Sequence, residues 1–296
     1  MLTDLLQFIN QQHGTAFSPL GRFPSGEQGA FAIAERRGDL SHDFVLKWSQ
    51  GKVATDQLRA ALITGRLRAA GYPAPRYHLV GIAPALELVY SVQEMIPGTP
   101  LGARLDEPLL ERVLELNAMQ CRQAPNPCAD WPRPVVDSVL HGGDGFCLLD
   151  PMRSYSAETA ALLAVLHGLV ASSGVETFPA DDVVHFDFQG ANILVDCGEI
   201  TGVIDWEGCC AGDATFDLAT LYFYTDPDGE AARHQRDRLW DLLMARIPPS
   251  LLGAYLAHLV LRQLDWSIRF HERAMIAHWL RRGNEVLHRF TIATGR

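Results

Sequence analysis

Four polar residues beside two apolar runs are the first candidates for chemistry. The stretch VVHFDFQGANILVDCGEITGVIDWEG, residues 183–208, places His185, Asp187 and Asn192 in the pattern H-x-D-x-x-x-x-N, and Asp205 ends the next apolar run. Burying such side chains without partners is costly, and both apolar runs have the composition of strands joined by short turns. The spacing therefore indicates a functional site, with turn capping by Asp and Asn as the alternative.

The carboxylates and the amide of this stretch are oxygen ligands of the kind that Mg²⁺ prefers, usually one or two carboxylates together with substrate phosphates. In phosphoryl transfer, one Asp accepts the proton of the acceptor hydroxyl, an Asn and a second Asp hold magnesium, and a strand Lys binds phosphate. The run DFVLKWS supplies Lys47 in the middle of a predicted strand. These residue types in this order predict a Mg·nucleotide as the ligand.

Composition narrows the class of protein. The chain has 296 residues, 48% hydrophobic and 20% charged, which is typical of a globular enzyme with a sizeable core. Its formal net charge of −10 argues against nucleic acid or an anionic membrane as the main partner. The six cysteines are scattered and form no CxxC pair, which argues against a zinc site or a disulfide framework. The N-terminus has the pattern of a short amphipathic helix and not of a signal peptide, and no apolar run is long enough to span a membrane. We therefore expect a cytoplasmic protein.

The elements that must position these residues change in character along the chain. Residues 17–49 alternate apolar and polar positions and predict three antiparallel strands, residues 54–72 predict a helix, and residues 86–96 predict another strand. Most of the remainder has helical periodicity, and the last part predicts two or three helices with a break at Pro248 and Pro249. The pattern predicts an α+β fold with a strand-rich lobe at residues 1–97 and a mainly helical lobe at residues 98–296.

With these motifs in hand, the chain resembles the aminoglycoside phosphotransferase family, whose fold is similar to that of protein kinases. The matching motifs are HFDFQGAN, VIDWE and GDATFDLA. The resemblance implies a bilobal protein-kinase-like fold and a Mg²⁺-dependent kinase that uses ATP or GTP. It would phosphorylate a hydroxyl of a small, cationic acceptor, foremost an aminoglycoside antibiotic, and so confer resistance. The alternatives are a kinase of choline, an amino-alcohol, a sugar, a peptide antibiotic or a macrolide, and a nucleotide-binding pseudokinase module.

The resemblance also implies roles for the residues of the two motif segments. Asp187 would be the catalytic base, and Asn192 and Asp205 would hold magnesium. His185 would support the catalytic loop, and Asp217 would brace the backbone of that loop from the next helix.

The same resemblance assigns nucleotide binding to Lys47, Ser25, Gly26, Gly29, Glu94 and Ile96. The lysine would contact the α- and β-phosphates, and the serine and the two glycines would cover them. Backbone groups of the last two residues would face the adenine. The two glycines have an alternative as residues of a hairpin turn.

Three acidic residues are candidates for attracting a cationic acceptor. Asp213 either faces the acceptor or caps the helix that begins near Ala214. Asp265, Arg269 and Glu272 recur at i, i+4 and i+7, which places them on one predicted helix face. They either line the acceptor pocket or form a ladder of intrahelical salt bridges.

One family feature is missing from the sequence. The family usually pairs the phosphate-binding lysine with a Glu on the following helix, and residues 54–72 contain no Glu. The expected position falls near Arg59 or Ala60, and Asp56, about one turn earlier, could reach Lys47 if the helix is shifted. The choice between a monomer and a dimer stays open.

Overall fold

A computed structural model describes residues 1–23, 30–37, 40–50, 54–102, 105–172, 174–226 and 229–295 of the chain. These described residues form ten α-helices and twelve strands. The helices are α1 (Leu2–His13), α2 (Thr55–Ala69), α3 (Glu107–Met119), α4 (Arg133–His141), α5 (Leu149–Tyr155), α6 (Ala157–Ser172), α7 (Thr215–Tyr224), α8 (Glu230–Arg246), α9 (Pro249–Phe270) and α10 (Arg273–Thr294). The strands are β1 (Phe17–Arg22), β2 (Phe31–Arg37), β3 (Leu40–Gln50), β4 (Tyr77–Ala83), β5 (Leu88–Glu94), β6 (Thr99–Pro100), β7 (Cys128–Trp131), β8 (Phe178–Ala180), β9 (Asp182–Val184), β10 (Ile193–Asp196), β11 (Glu199–Val203) and β12 (Cys210–Gly212).

The chain folds into two compact units, each of which is discontinuous in sequence. The first comprises Met1–Gly102, Glu111–Met119 and Gly190–Cys209. The second comprises Ala103–Leu110, Gln120–Gln189 and Cys210–Arg296. The lobe limits 1–97 and 98–296 stay a prediction.

The first unit contains the antiparallel sheet that the sequence predicts. Its strand order is β1-β2-β3-β5-β4, and β3 pairs with β5 in a register that sets Lys47 opposite Ser91. Because successive side chains of a strand point to opposite faces, Leu46 enters the core beneath α1 while Lys47 points to the other face. Leu5 and Ile9 of α1 are fully buried in that core, so the predicted N-terminal amphipathic helix is confirmed.

The first unit also holds the hairpin of β10 and β11, which carries the predicted metal residues at its ends. β10 pairs with β6 as well. The chain crosses itself closely at one end of this hairpin, where a Cβ on Gly190 would lie 2.7 Å from the carbonyl oxygen of Gly102. This close approach of two backbone segments requires glycine at position 190.

The second unit is built around α9, a helix whose residues Leu251–Leu261 are all buried. α9 packs against α4, α5, α6, α7 and α10. Pro248 is its N-cap and Pro249 its first residue, positions that tolerate proline, so the predicted break is confirmed. Within the described ranges, every helix is too short or too polar to cross a membrane.

Candidate functional site

Lys47 lies between two carboxylates of the first unit. Its Nζ is 2.9 Å from Oδ1 of Asp205 and 3.2 Å from Oε2 of Glu207. Gln93 on β5 donates from Nε2 to Oε1 of the same glutamate at 3.0 Å. Burial disfavours the ammonium ion, but the two carboxylates outweigh it and raise the pKa of Lys47. Burial also raises the pKa of Glu207. The positive charge of Lys47 lowers it, but the net shift is upward.

α2, the helix after β3, contributes Arg59 to this cluster and no carboxylate partner for Lys47 among its described contacts. Asp56, the conditional partner of Lys47, instead forms an ion pair of 3.0 Å with Arg59 one turn later on α2. Nε of Arg59 donates to the carbonyl oxygen of Cys209 at 2.7 Å. Arg59, near the helix position where the family places a Glu, thus holds the backbone just after Glu207, and Glu207 supplies the carboxylate for the lysine.

The backbone of the β10–β11 hairpin sets Asn192 opposite Ile204, the residue before Asp205. The N–H of Ile204 donates to the carbonyl oxygen of Asn192 at 2.9 Å. Asn192 is 8% exposed, whereas the side chain of Asp205 is half exposed at 50% and its backbone has a φ of 70°. An amide oxygen and an accessible carboxylate oxygen form a donor set that fits Mg²⁺ completed by waters and phosphate oxygens.

The predicted nucleotide residues divide into two groups. Ser25, Gly26 and Gly29 lie outside the described residues. Glu94 and Ile96 line a cleft of about 880 Å³ in the first unit. The N–H of Glu94 donates to the carbonyl oxygen of Arg76 at 2.8 Å, and its carboxylate pairs with Arg68 at 2.8 Å. The N–H and the carboxylate of Glu94 are therefore both bonded within the first unit.

Asp187, in the second unit, is held by a glutamine and an arginine. Nε2 of Gln189 lies 3.1 Å from each carboxylate oxygen of Asp187. Nη2 of Arg262, on α9, lies 3.0 Å from Oδ1, and Nη1 donates to the carbonyl oxygen of Phe186. Burial lowers the pKa of Arg262, but the negative charge of Asp187 more than offsets this, so the net shift is upward.

Asp217 holds the backbone of the same loop from α7. Oδ2 accepts the N–H of His185 at 2.7 Å, and Oδ1 accepts the N–H of Phe186 at 3.0 Å. Gln120 donates from Nε2 to Oδ2 at 2.7 Å. Burial raises the pKa of Asp217 to about 7, against the opposing effect of these donors. Nδ1 of His185 accepts the N–H of Asp187 at 3.2 Å, so the histidine is bonded within the loop.

Asp213 has the contacts of a capping residue. Its Oδ1 accepts the N–H of Thr215 at 2.9 Å, and Oδ2 accepts the Thr215 hydroxyl at 2.6 Å, at the start of α7. The hydroxyl of Tyr255 on α9 also donates to Oδ2 at 2.8 Å. Of the two alternatives for Asp213, these contacts favour the cap.

Asp265 and Glu272 do not share a helix face. Asp265 is fully buried and accepts two bonds of 2.8 Å from Arg269, which is the first step of the predicted ladder. α9 ends at Phe270, so Glu272 lies beyond it as the N-cap residue of α10 and is exposed. The expectation of one face for all three residues is wrong because the helical periodicity does not extend past position 270.

The partners of Lys47 and Asp187 include four residues that were not predicted as site residues from the sequence: Gln93, Gln189, Glu207 and Arg262. Gln189 and Glu207 lie inside the motif stretch, so their polarity next to the motif residues was a usable signal. The other two carry no such signal, because their contacts join positions far apart in the chain.

A family model and a curated relative match parts of this chain. Residues 22–251 match the model of the phosphotransferase enzyme family. Hygromycin-B 4-O-kinase of Escherichia coli is 34% identical over 91 residues. That alignment is 29% of this chain and 25% of the relative, so the chain matches a quarter of the length of that curated protein.

Solved structures share the fold. A thermostable mutant of aminoglycoside phosphotransferase APH(4)-Ia, in a ternary complex with AMP-PNP and hygromycin B, matches with a TM-score of 0.68 and 20% identity over 95% of this chain and 97% of that one. Choline kinase LicA from Streptococcus pneumoniae matches with a TM-score of 0.58 and 13% identity over 96% of this chain and 98% of that one. At these identities the likeness establishes the fold alone, and the predicted α+β, protein-kinase-like class is confirmed.

Proposed function

The chain belongs to the phosphotransferase enzyme family, and on that premise we propose that it transfers the γ-phosphoryl group of ATP or GTP to a hydroxyl of a small acceptor. The acceptor is an aminoglycoside-type antibiotic, and the activity confers resistance to it. The relative that matches residues of this chain at 34% identity is a kinase of hygromycin B, which supports this acceptor class.

The observation that carries the proposal is the environment of Asp187. Its neighbours His185 and Phe186 are fixed through their N–H groups by the buried Asp217, while the Asp187 side chain itself stays 22% exposed. A carboxylate on a fixed backbone that still reaches solvent can accept a hydroxyl proton from a bound acceptor. Turn capping alone does not call for such support.

The transfer itself needs positioning and charge neutralisation more than covalent chemistry. The acceptor oxygen forms a bond to the γ-phosphorus while the bond from that phosphorus to the β,γ-bridging oxygen breaks. The hydroxyl proton passes to a carboxylate oxygen of Asp187, and the nucleoside diphosphate leaves with the bridging oxygen.

Lys47 binds the α- and β-phosphates in this proposal, and backbone groups of Glu94 and Ile96 face the nucleobase. Asn192 and Asp205 hold Mg²⁺, which neutralises phosphate charge when it is bound. Glu207 keeps the Lys47 ammonium in place from 3.2 Å away. Ser25, Gly26 and Gly29 keep their proposed role as the cover of the phosphates.

The test is a magnesium-dependent, coupled nucleotide-turnover assay. ATP and GTP are each offered with aminoglycosides including hygromycin B, and with peptide antibiotics, macrolides, choline and sugars. We expect aminoglycosides to stimulate turnover. The variant Asp187→Asn should fold and bind nucleotide but lose most turnover, because its amide cannot accept the hydroxyl proton.

Two results would contradict the proposal. If only choline or a sugar stimulated turnover, the acceptor would belong to another class. If Asp187→Asn kept the wild-type turnover, Asp187 would not be the catalytic base. Ionic strength provides a further check, since the KM of a polycationic acceptor on a protein of net charge −10 should rise with salt.

A further inference from the structure

We propose that Arg262 is a positioning residue for the catalytic loop, which orients the Asp187 carboxylate and fixes the peptide before it. This inference rests on the proposed function, since it assigns to an arginine of α9 a part in the reaction of Asp187. The residue lies 75 positions after Asp187 in the chain, outside every motif of the family resemblance.

The guanidinium group makes two contacts at once. Nη2 lies 3.0 Å from Oδ1 of Asp187, and Nη1 donates to the carbonyl oxygen of Phe186. The planar fork of arginine presents its donors to both acceptors in a fixed geometry, whereas a lysine ammonium is a compact charge on a flexible stem. One side chain thus ties the orientation of the carboxylate to the position of the preceding peptide.

The peptide that Arg262 binds needs such support. Phe186 has a φ of 71°, in the left-handed region that a bulky residue rarely adopts. Its N–H donates to Asp217, and its ring stacks on Phe216 with centroids 4.9 Å apart. The ring of His258, four residues before Arg262 on the same helix face, lies 5.3 Å away. α9 therefore holds this residue from its ring and from its carbonyl.

Among the described contacts of Asp187, Arg262 is the positively charged partner. From α7, Asp217 and Tyr224 face Asp187, and from its own loop His185 and Gln189 do so. His258 stays neutral, because burial lowers its pKa to about 3. Arg262 therefore supplies the positive charge that lies 3.0 Å from the Asp187 carboxylate.

The kinetic test compares Arg262→Gln and Arg262→Lys with wild type. Arg153→Gln is the matched control, since it removes an exposed Arg–Asp pair, 3.0 Å to Asp150, elsewhere in the same unit. We expect Arg262→Gln to lower kcat on the order of 10²-fold, because a misplaced base reacts slowly, with nucleotide KM changed by less than about threefold. Arg262→Lys should recover part of kcat, and Arg153→Gln should match wild type.

The pH profile separates positioning from simple packing. The acid limb of kcat/KM should move to higher pH in Arg262→Gln and return in Arg262→Lys, because lysine restores a positive charge beside the carboxylate. A wild-type acid limb and wild-type kcat in Arg262→Gln would overturn the proposal. A fall in kcat with an unmoved limb, equal in both variants, would also overturn it and leave a packing role.

A double-mutant cycle tests the contact without turnover. The urea unfolding midpoints of Arg262→Gln, Asp187→Asn and the double variant are compared with that of wild type. Coupled residues give non-additive shifts, so Asp187→Asn should have little further effect once Arg262 is replaced. Additive shifts would overturn the proposal. If wild type turns over no acceptor, the proposed function fails, and this cycle still decides whether the arginine holds the aspartate.

Discussion

Nζ of Lys47 and Oε2 of Glu207 lie 3.2 Å apart within the first unit, so a carboxylate partner of this lysine stands two residues after Asp205. The helix that follows β3 lacks the usual Glu, and the lack of this partner favours the pseudokinase alternative. Glu207 supplies the missing charge from another segment, and Gln93 orients it at 3.0 Å. The missing helix residue therefore no longer argues against catalysis.

Glu207→Gln should weaken nucleotide use. A hydrogen bond to a charged group contributes about 1.5–3 kcal/mol, so kcat/KM for the nucleotide should fall roughly 10- to 100-fold. Steady-state kinetics and calorimetric titration of nucleotide without acceptor measure this directly.

Asp56→Asn is the control for that experiment, because Asp56 pairs with Arg59 at the surface of α2. An exposed pair of this kind contributes at most about 1 kcal/mol, and nucleotide binding should not change. If Asp56→Asn impaired nucleotide binding and Glu207→Gln did not, the functional partner of Lys47 would be Asp56 on α2 and not Glu207.

Gly190→Ala should destabilise the fold. The new Cβ would lie 2.7 Å from the carbonyl oxygen and 3.2 Å from the nitrogen of Gly102, and backbone cannot move aside as a side chain can. Overpacking of this kind costs about 1–3 kcal/mol, to be measured as a lower midpoint in urea. Gly65→Ala is the matched control on α2, where a Cβ meets nothing within 4 Å. It should gain about 0.5–1 kcal/mol, and equal behaviour of the two variants would contradict the close crossing.

Asp265→Asn should lower the free energy of unfolding by about 3 kcal/mol, because it leaves Arg269 without its buried carboxylate partner. Glu272→Gln, at an exposed position outside α9, should change stability by less than about 0.5 kcal/mol. Chemical denaturation of both variants measures the difference. If Asp265→Asn left stability intact and raised the KM of a cationic acceptor, Asp265 would belong to the acceptor pocket after all.

The parts of this protein that sequence predicts are those encoded locally. The alternation around Lys47 predicts its strand, and the apolar runs between Asn192 and Asp205 predict the hairpin that carries these two residues at its ends. Arg262 lies far from Asp187 in sequence, and nothing about an arginine on an apolar helix indicates which loop it contacts. The end of α9 at Phe270 was missed for a related reason, since neither Gly nor Pro follows it and His271 is extended without a sequence signal.

His258 should make the protein less stable in mild acid. It is fully buried and hydrogen-bonded at Nδ1 to Ser138 at 2.7 Å, and burial lowers its pKa from 6.5 to about 3. Between these two values the unfolded chain binds a proton that the folded chain excludes, so stability falls as pH drops below about 6.5. From pH 7 to pH 5 this amounts to about 2 kcal/mol, which urea unfolding at both pH values can measure.

His258→Gln removes the titration and should lose about 2 kcal/mol less than wild type over this interval, whatever its stability at pH 7. His234→Gln, at an exposed position on α8, should keep the wild-type slope. Equal slopes in wild type and His258→Gln would show that His258 can be protonated inside the fold.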